Sequence, residues 1–148
     1  MNNDNNKTIE AEQGKTYESG EVTVGKDIKC AIRATCCAWV KNGGYASVLS
    51  GGDAKVFDGG HVTVIEGGHA WVQSGGTAFV LDGGRAYVKK GGTAGVLSGG
   101  DARVFDGGHA DVCDGGYAYV HKGGCVLADD GARIHALPGS IINGKVKE

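Results

Sequence analysis

The sequence predicts an all-β fold in which a single chain winds into a solenoid, and three observations predict it. Glycine supplies 29 of the 148 residues, whereas proline occurs once. Gly-Gly pairs recur every eight residues between Gly43 and Gly123. Between the pairs, small or branched apolar residues alternate with variable ones, which is the period of a strand with one buried face. The chain is therefore read as short strands separated by glycine corners.

The repeating unit reads Gly-Gly-x-Ala-x-Val-x-x, and its positions are numbered one to eight from the first glycine. Fifteen such octads run from Ser19 to Pro138. Positions four and six are predicted to point inward, and positions three, five and seven to face solvent. The organisation is then a polar N-terminal tail and cap over 1–18, the octad solenoid over 19–138, and a C-terminal cap or tail over 139–148.

The number of octads in each coil is inferred from the residues at position eight. Two series recur there with a step of 24: Ser50, Ser74 and Ser98, and Asp58, Asp82, Asp106 and Asp130. This step predicts a triangular coil with three eight-residue sides, and about five coils stacked at ~4.8 Å each. An antiparallel sandwich or barrel, which would show a period of 16, is the alternative.

The octad architecture of residues 19–138 resembles the β-solenoid and β-helix repeat proteins. A coil of this length is similar to those of right-handed β-helices, so the resemblance implies a right-handed coil. The octad differs from the calcium-binding nonapeptide β-roll, which has a period of nine and an Asp inside each turn motif. The resemblance is one of architecture and extends to no single named family.

Two columns of outward residues, each one 24-residue coil apart, are candidate ligand sites. Trp71 and Tyr119 would flank Gly95 and form a slot for a planar group such as a base or a sugar. A mildly basic column would hold a small anionic, nucleotide-like ligand. That column comprises His61, Arg85, His109 and Arg133, with Tyr87 beside it. The alternative for both is a solvated polar surface.

A third column predicts self-association. Phe57, Leu81 and Phe105 would line up on one flat side with Phe79 beside them. A contiguous exposed apolar patch usually marks an interface, so we expect a homo-oligomer, most simply a symmetric dimer. A protein partner on this stripe is the alternative.

The corner series Asp58, Asp82, Asp106 and Asp130 would stack carboxylates one coil apart. Each Asp could accept a bond from the glycine amides that follow it and so cap the turn. Alternatively, the series could hold a hard cation such as calcium. Serine at the equivalent corners favours turn capping, so a metal role is only a weak candidate.

Composition excludes several classes of function. The formal charge is −2, which argues against a duplex nucleic-acid binder. The polar N-terminus and the lack of a long apolar run predict a cytoplasmic chain with no membrane contact. The five cysteines show no zinc spacing, and no catalytic motif occurs apart from the repeat. We expect a protein without cofactor or catalysis that acts as a rigid structural or protein-interaction module, with small-ligand binding as the alternative.

Overall fold

The computed structural model describes residues 9–144, and every helix or strand assigned in this range is a strand. Eighteen strands follow one another along the chain. They are β1 (Ile9–Glu10), β2 (Thr16–Tyr17), β3 (Glu21–Val24), β4 (Lys29–Ile32), β5 (Cys37–Val40), β6 (Tyr45–Val48), β7 (Asp53–Val56), β8 (His61–Val64), β9 (His69–Val72), β10 (Thr77–Val80), β11 (Arg85–Val88), β12 (Thr93–Val96), β13 (Asp101–Val104), β14 (His109–Val112), β15 (Tyr117–Val120), β16 (Cys125–Ala128), β17 (Arg133–Ala136) and β18 (Ile141–Gly144).

The strands form two parallel nine-stranded sheets. Sheet A contains the odd-numbered strands and sheet B the even-numbered strands, each in order along the rod. Thr77 pairs with His61 on one side and Thr93 on the other, so the pairing step is 16 residues. One coil therefore consists of two octads, one in each sheet. About eight coils stack into a rod roughly 38 Å long at ~4.8 Å per strand.

The predicted all-β solenoid is confirmed, but the triangular coil of 24 residues and the count of five coils are wrong. Residues 48–61 and 96–109 carry the same sequence except that Lys55 is replaced by Arg103. This 48-residue step is a multiple of both 16 and 24, so the position-eight series did not distinguish two-sided from three-sided coils. The parallel pairing also excludes the antiparallel sandwich. The right-handed coil stays a prediction.

The core consists of the inward residues at positions four and six, as the alternation predicted. Ala78 and Val80 of β10 and Ala86 and Val88 of β11 are fully buried, and the described core contains no buried polar or charged residue. Because the chain reverses at each corner, the alanine position of one sheet lies opposite the valine position of the other. One small and one medium side chain fill the gap between two sheets evenly, whereas a three-sided coil would leave a wider centre to fill.

The two glycines of a corner serve different purposes. Gly67 adopts a φ of +86°, a left-handed conformation that residues with a Cβ rarely take. Gly68 does not, but a Cβ there would lie 2.6 Å from the carbonyl oxygen of Val48 in the preceding coil. The Gly68 N–H closes the turn on Ile65 O at 2.9 Å, and the Gly67 N–H donates to Gly83 O of the next coil at 3.0 Å. Corner amides are thus satisfied by backbone.

The two ends of the rod differ. At the N-terminal end, Ala11 is buried, the Glu12 N–H donates to the Tyr17 hydroxyl at 2.7 Å, and the Lys29 N–H donates to Gln13 Oε1 at 2.8 Å. At the other end, the inward Ala136 of β17 is exposed. Within residues 9–144, no helix is long and apolar enough to cross a membrane.

Candidate functional site

The outward residues of sheet A form a continuous row of rings and cations, named here the ring ladder. It occupies position five of the odd-numbered strands from β5 to β17, where successive residues are direct neighbours across parallel strands. The ring ladder comprises Trp39, Lys55, Trp71, Tyr87, Arg103, Tyr119 and His135. Because each neighbour is one coil away, side chains along the rod contact each other directly.

The contacts within the ring ladder are close and well ordered. Trp71 and Tyr87 stack with ring centroids 5.4 Å apart and planes 15° from parallel. Lys55 Nζ lies 4.3 Å from the Trp39 ring centroid, and the Arg103 guanidinium lies 5.9 Å from that of Tyr87. Such ring pairs and cation–π contacts each contribute about 0.5–1.5 kcal/mol. The ladder therefore ties successive coils together outside the core.

A second row at position seven runs beside the ring ladder. Lys89 Nζ lies 4.3 Å from the centroid of the Phe105 ring. Phe105 in turn stacks on His121, with centroids 4.5 Å apart and planes 13° from parallel. His121 meets Tyr119 of the ring ladder edge to face at 5.0 Å. The two rows form one surface, named here face A.

Position three completes face A with charged residues. His69 Nδ1 lies 3.4 Å from Asp53 Oδ1, and Arg85 Nε lies 3.4 Å from Asp101 Oδ2. These pairs are partly exposed, so each contributes at most about 1 kcal/mol. Over the whole of face A, lysine and arginine outnumber acidic residues: Lys41, Lys55, Arg85, Lys89, Arg103 and Arg133 against Glu21, Asp53 and Asp101. Face A is a cationic surface on a chain of net negative charge.

The outer surface of sheet B, named here face B, is made of smaller side chains. Around its centre lie Thr63, Thr77, Thr93 and Gly95. Phe79 is 47% exposed, and a Cβ at Gly95 would lie 3.1 Å from Phe79 Cδ1, so the ring rests over that glycine. The result is a flat surface with one exposed ring at its middle.

One edge of face B carries a row of aliphatic side chains, named here the aliphatic ridge. It comprises Leu49, Ile65, Leu81 and Leu97 at position seven, and Cys113 extends it by one coil. All five side chains are half-buried. Together with Phe79 they form an apolar strip about 19 Å long at ~4.8 Å per coil. A contiguous apolar strip of this kind is typical of an interface.

The aromatic slot and the basic column are not formed. Trp71 and Tyr119 belong to sheet A and lie three coils apart, whereas Gly95 belongs to sheet B. The face of Trp71 is instead covered by Tyr87. The basic column is divided in the same way: His61 and His109 lie on face B, while Arg85, Tyr87 and Arg133 lie on face A. The two-octad coil separates residues that a three-octad coil would have stacked.

The apolar stripe is also divided between the faces. Phe57 and Phe105 lie at the edge of sheet A, three coils apart, whereas Phe79 and Leu81 lie on sheet B. The structure therefore keeps half of the predicted stripe and adds the rest of the aliphatic ridge to it. A step of 16 in the sequence, Leu49 to Ile65 to Leu81 to Leu97, was the signal for this ridge. The same step marks the ring ladder.

The corner aspartates form no single column. Asp58 and Asp106 lie at the corner after sheet A, and Asp82 and Asp130 at the corner after sheet B. The glycine amides after Asp106 are already bonded, since the Gly107 N–H donates to Gly123 O and the Gly108 N–H to Phe105 O. Backbone carbonyls thus take the amides that the aspartate was predicted to cap. Residues 9–144 contain no group of three or more histidines, cysteines or acids placed to hold a metal.

The cysteines are not arranged as nucleophiles. Burial raises the pKa of the Cys30 thiol to about 11, and the same desolvation raises the pKa of Cys36 to about 11. Burial also raises the pKa of Cys37 on face A and of Cys113 on the aliphatic ridge. Because the thiolate is the reactive form, these raised pKa values keep the four thiols unreactive near neutral pH. They are useful instead as probes of surface exposure.

The fold and its two faces define a two-sided β-solenoid repeat protein. No protein-family model matches the sequence, and no curated protein matches it. Among solved structures the chain is similar to a crystal structure of a TibC-catalysed, hyperglycosylated fragment of TibA spanning 55–350. The identity is 24% over 93% of this chain and 68% of that chain, with a TM-score of 0.36. The likeness at this level extends to neither an activity nor a partner.

Proposed function

We propose that the protein is a non-catalytic, rigid interaction module that associates with a second copy of itself through face B. The observation that carries this is the aliphatic ridge with Phe79 beside it, an apolar strip on an otherwise small and flat surface. The two-sided coil gives such a surface stiffness, because each strand from β3 to β16 pairs on both sides. A stiff flat face loses little conformational freedom when it packs against a copy of itself.

The size of face B is compatible with a dimer. From β4 to β16 it extends for about 29 Å along the rod and roughly 17 Å across, at ~4.8 Å per strand and ~3.4 Å per residue. A flat footprint of about 500 Å² per protomer gives about 1,000 Å² in total, the lower limit of a specific interface. The dimer would therefore dissociate at low protein concentration.

Light scattering coupled to size exclusion tests the association. We expect the wild type to form a dimer at high concentration and Phe79→Ser/Leu81→Ser to remain a monomer, since both polar replacements lie in the apolar strip. The matched control is Phe57→Ser/Phe105→Ser, which removes the same amount of ring surface or more from face A and should leave the dimer intact. A monomeric wild type, or a dimer lost only in the control, would refute the proposal.

Thiol labelling gives a second readout that does not depend on the variants. Cys113 lies at the end of the aliphatic ridge and Cys37 on face A, and both are half-buried. When the protein concentration is raised, labelling of Cys113 should slow while that of Cys37 stays constant. Equal slowing at both thiols would indicate association that is not confined to face B.

A further inference from the structure

We infer that face A binds a linear acidic polysaccharide, a polymer that carries carboxylates and hydroxyls along its length. This goes beyond the proposed self-association and involves the opposite surface of the rod. The inference depends on three features of face A: cations held without carboxylate partners, rings that present their edges, and an internal repeat that preserves both.

The cations of the ring ladder are held in place by rings and not by acids. Lys55 lies over Trp39, Arg103 over Tyr87, and Lys89 over Phe105. In residues 9–144, none of these three cations forms an ion pair with a carboxylate. Contact with a ring fixes the position of a cation but leaves its charge uncompensated. The three side chains are therefore positioned to bind anionic groups.

The rings favour anions as well. Trp71 and Tyr87 stack on each other, and so do Tyr119 and His135, with centroids 4.8 Å apart. Their faces are used within the ladder, so a base or a sugar ring has no free ring face between them on which to stack. The solvent meets ring edges, which carry the positive part of the aromatic quadrupole. Face A therefore attracts anions through both its cations and its ring edges.

The acids on face A decide which polyanion fits. Asp53 and Asp101 lie among the cations, where they would repel a phosphodiester chain that bears a charge on every unit. They can, however, accept hydrogen bonds from hydroxyls. A polymer with spaced carboxylates and many hydroxyls satisfies both kinds of group. An acidic polysaccharide has this chemistry, whereas single-stranded nucleic acid and polyglutamate do not.

An internal repeat of face A preserves this arrangement. Trp39, Lys55 and Trp71 are followed 48 residues later by Tyr87, Arg103 and Tyr119, so the order ring, cation, ring occurs twice. The flanking segment is otherwise unchanged between the two copies, but lysine is exchanged for arginine and tryptophan for tyrosine. The chemistry is kept while the residue differs. The two cation positions lie three coils apart, about 14 Å along a straight line.

Binding of polygalacturonate to the full chain, followed by fluorescence of the two tryptophans at low salt, tests the inference. We expect binding by the wild type and at least about tenfold weaker binding by Lys55→Gln/Arg103→Gln, which loses two charge-assisted contacts. Lys29→Gln/Arg33→Gln is the matched control, since it removes one lysine and one arginine from face B. The control should bind as the wild type does.

Three outcomes would overturn the inference. The first is the absence of polygalacturonate binding by the wild type, and the second is equal weakening in both double variants. The third is binding of oligo-dT or polyglutamate as tight as that of polygalacturonate, which would indicate attraction to any polyanion. None of these bears on the dimer, which the face B variants test separately.

Discussion

Faces A and B are built on the same octad and the same core, yet they carry different chemistry. Face A places rings and cations at position five, and these side chains contact each other from coil to coil. Face B places threonine, serine and glycine around a single exposed ring, Phe79, and its apolar residues lie along one edge. The backbone pairing is the same on both sides.

The difference shows that the octad separates stability from recognition. Positions four and six set the spacing between the sheets, and the glycines set the corners, so neither can vary freely. Positions three, five and seven contact mainly their neighbours one coil away. A solenoid of this kind can therefore present two unrelated surfaces on one rigid rod, and changes on one face should leave the other unaffected.

The largest expected effect comes from the core that both faces share. Val80→Asp buries a carboxylate without a partner in a core where Val80 is fully buried, at a cost of several kcal/mol. We expect loss of soluble folded protein, measured by circular dichroism and size exclusion. Phe79→Asp, one residue earlier, is the matched control, because that side chain points outward to face B. It should fold normally, and a folded Val80→Asp would contradict the two-sided core.

The next effect distinguishes the two faces by stability. Trp71→Ala removes a ring stacked on Tyr87 and in edge contact with His69, so we expect a loss of about 1–2 kcal/mol. Phe79→Ala on face B removes an exposed ring that rests over Gly95, and should change the free energy of unfolding by less than about 0.5 kcal/mol. Urea denaturation at a concentration where the protein is monomeric measures both. Equal losses would show that the ring ladder adds no stability.

The sequence allowed the strands, the glycine corners and the buried positions to be predicted, because each follows from a rule within one octad. The coil was mispredicted because the number of octads per turn is a property of how octads stack. Ser50 and Ser98 match at a step of 48, which both coil lengths satisfy. The candidate sites failed for the same reason, since every predicted column depended on the step. Leu49, Ile65, Leu81 and Leu97 carried the correct step at position seven.

The smallest expected effect concerns the corner aspartates, which have different neighbours at the two corners. At the corner after sheet A, Asp106 lies between Lys90 and Lys122, each one coil away. At the corner after sheet B, Asp82 follows Glu66 and precedes Ser98. Asp106→Asn therefore removes attraction, whereas Asp82→Asn removes repulsion. We expect the first to lower and the second to raise the free energy of unfolding, each by about 0.5 kcal/mol or less at low salt.

High salt should abolish both differences, because the carboxylates are exposed and the charges interact through solvent. The measurement is paired urea denaturation of the two variants at low and high ionic strength. Stabilisation by Asp106→Asn would show that the lysines on either side do not act on it. A large loss in either variant, independent of salt, would restore a turn-capping role for the carboxylate. A calcium-dependent rise in melting temperature that Asp82→Asn abolishes would instead indicate a cation at the acidic corner, which the backbone bonds of the glycine amides do not require.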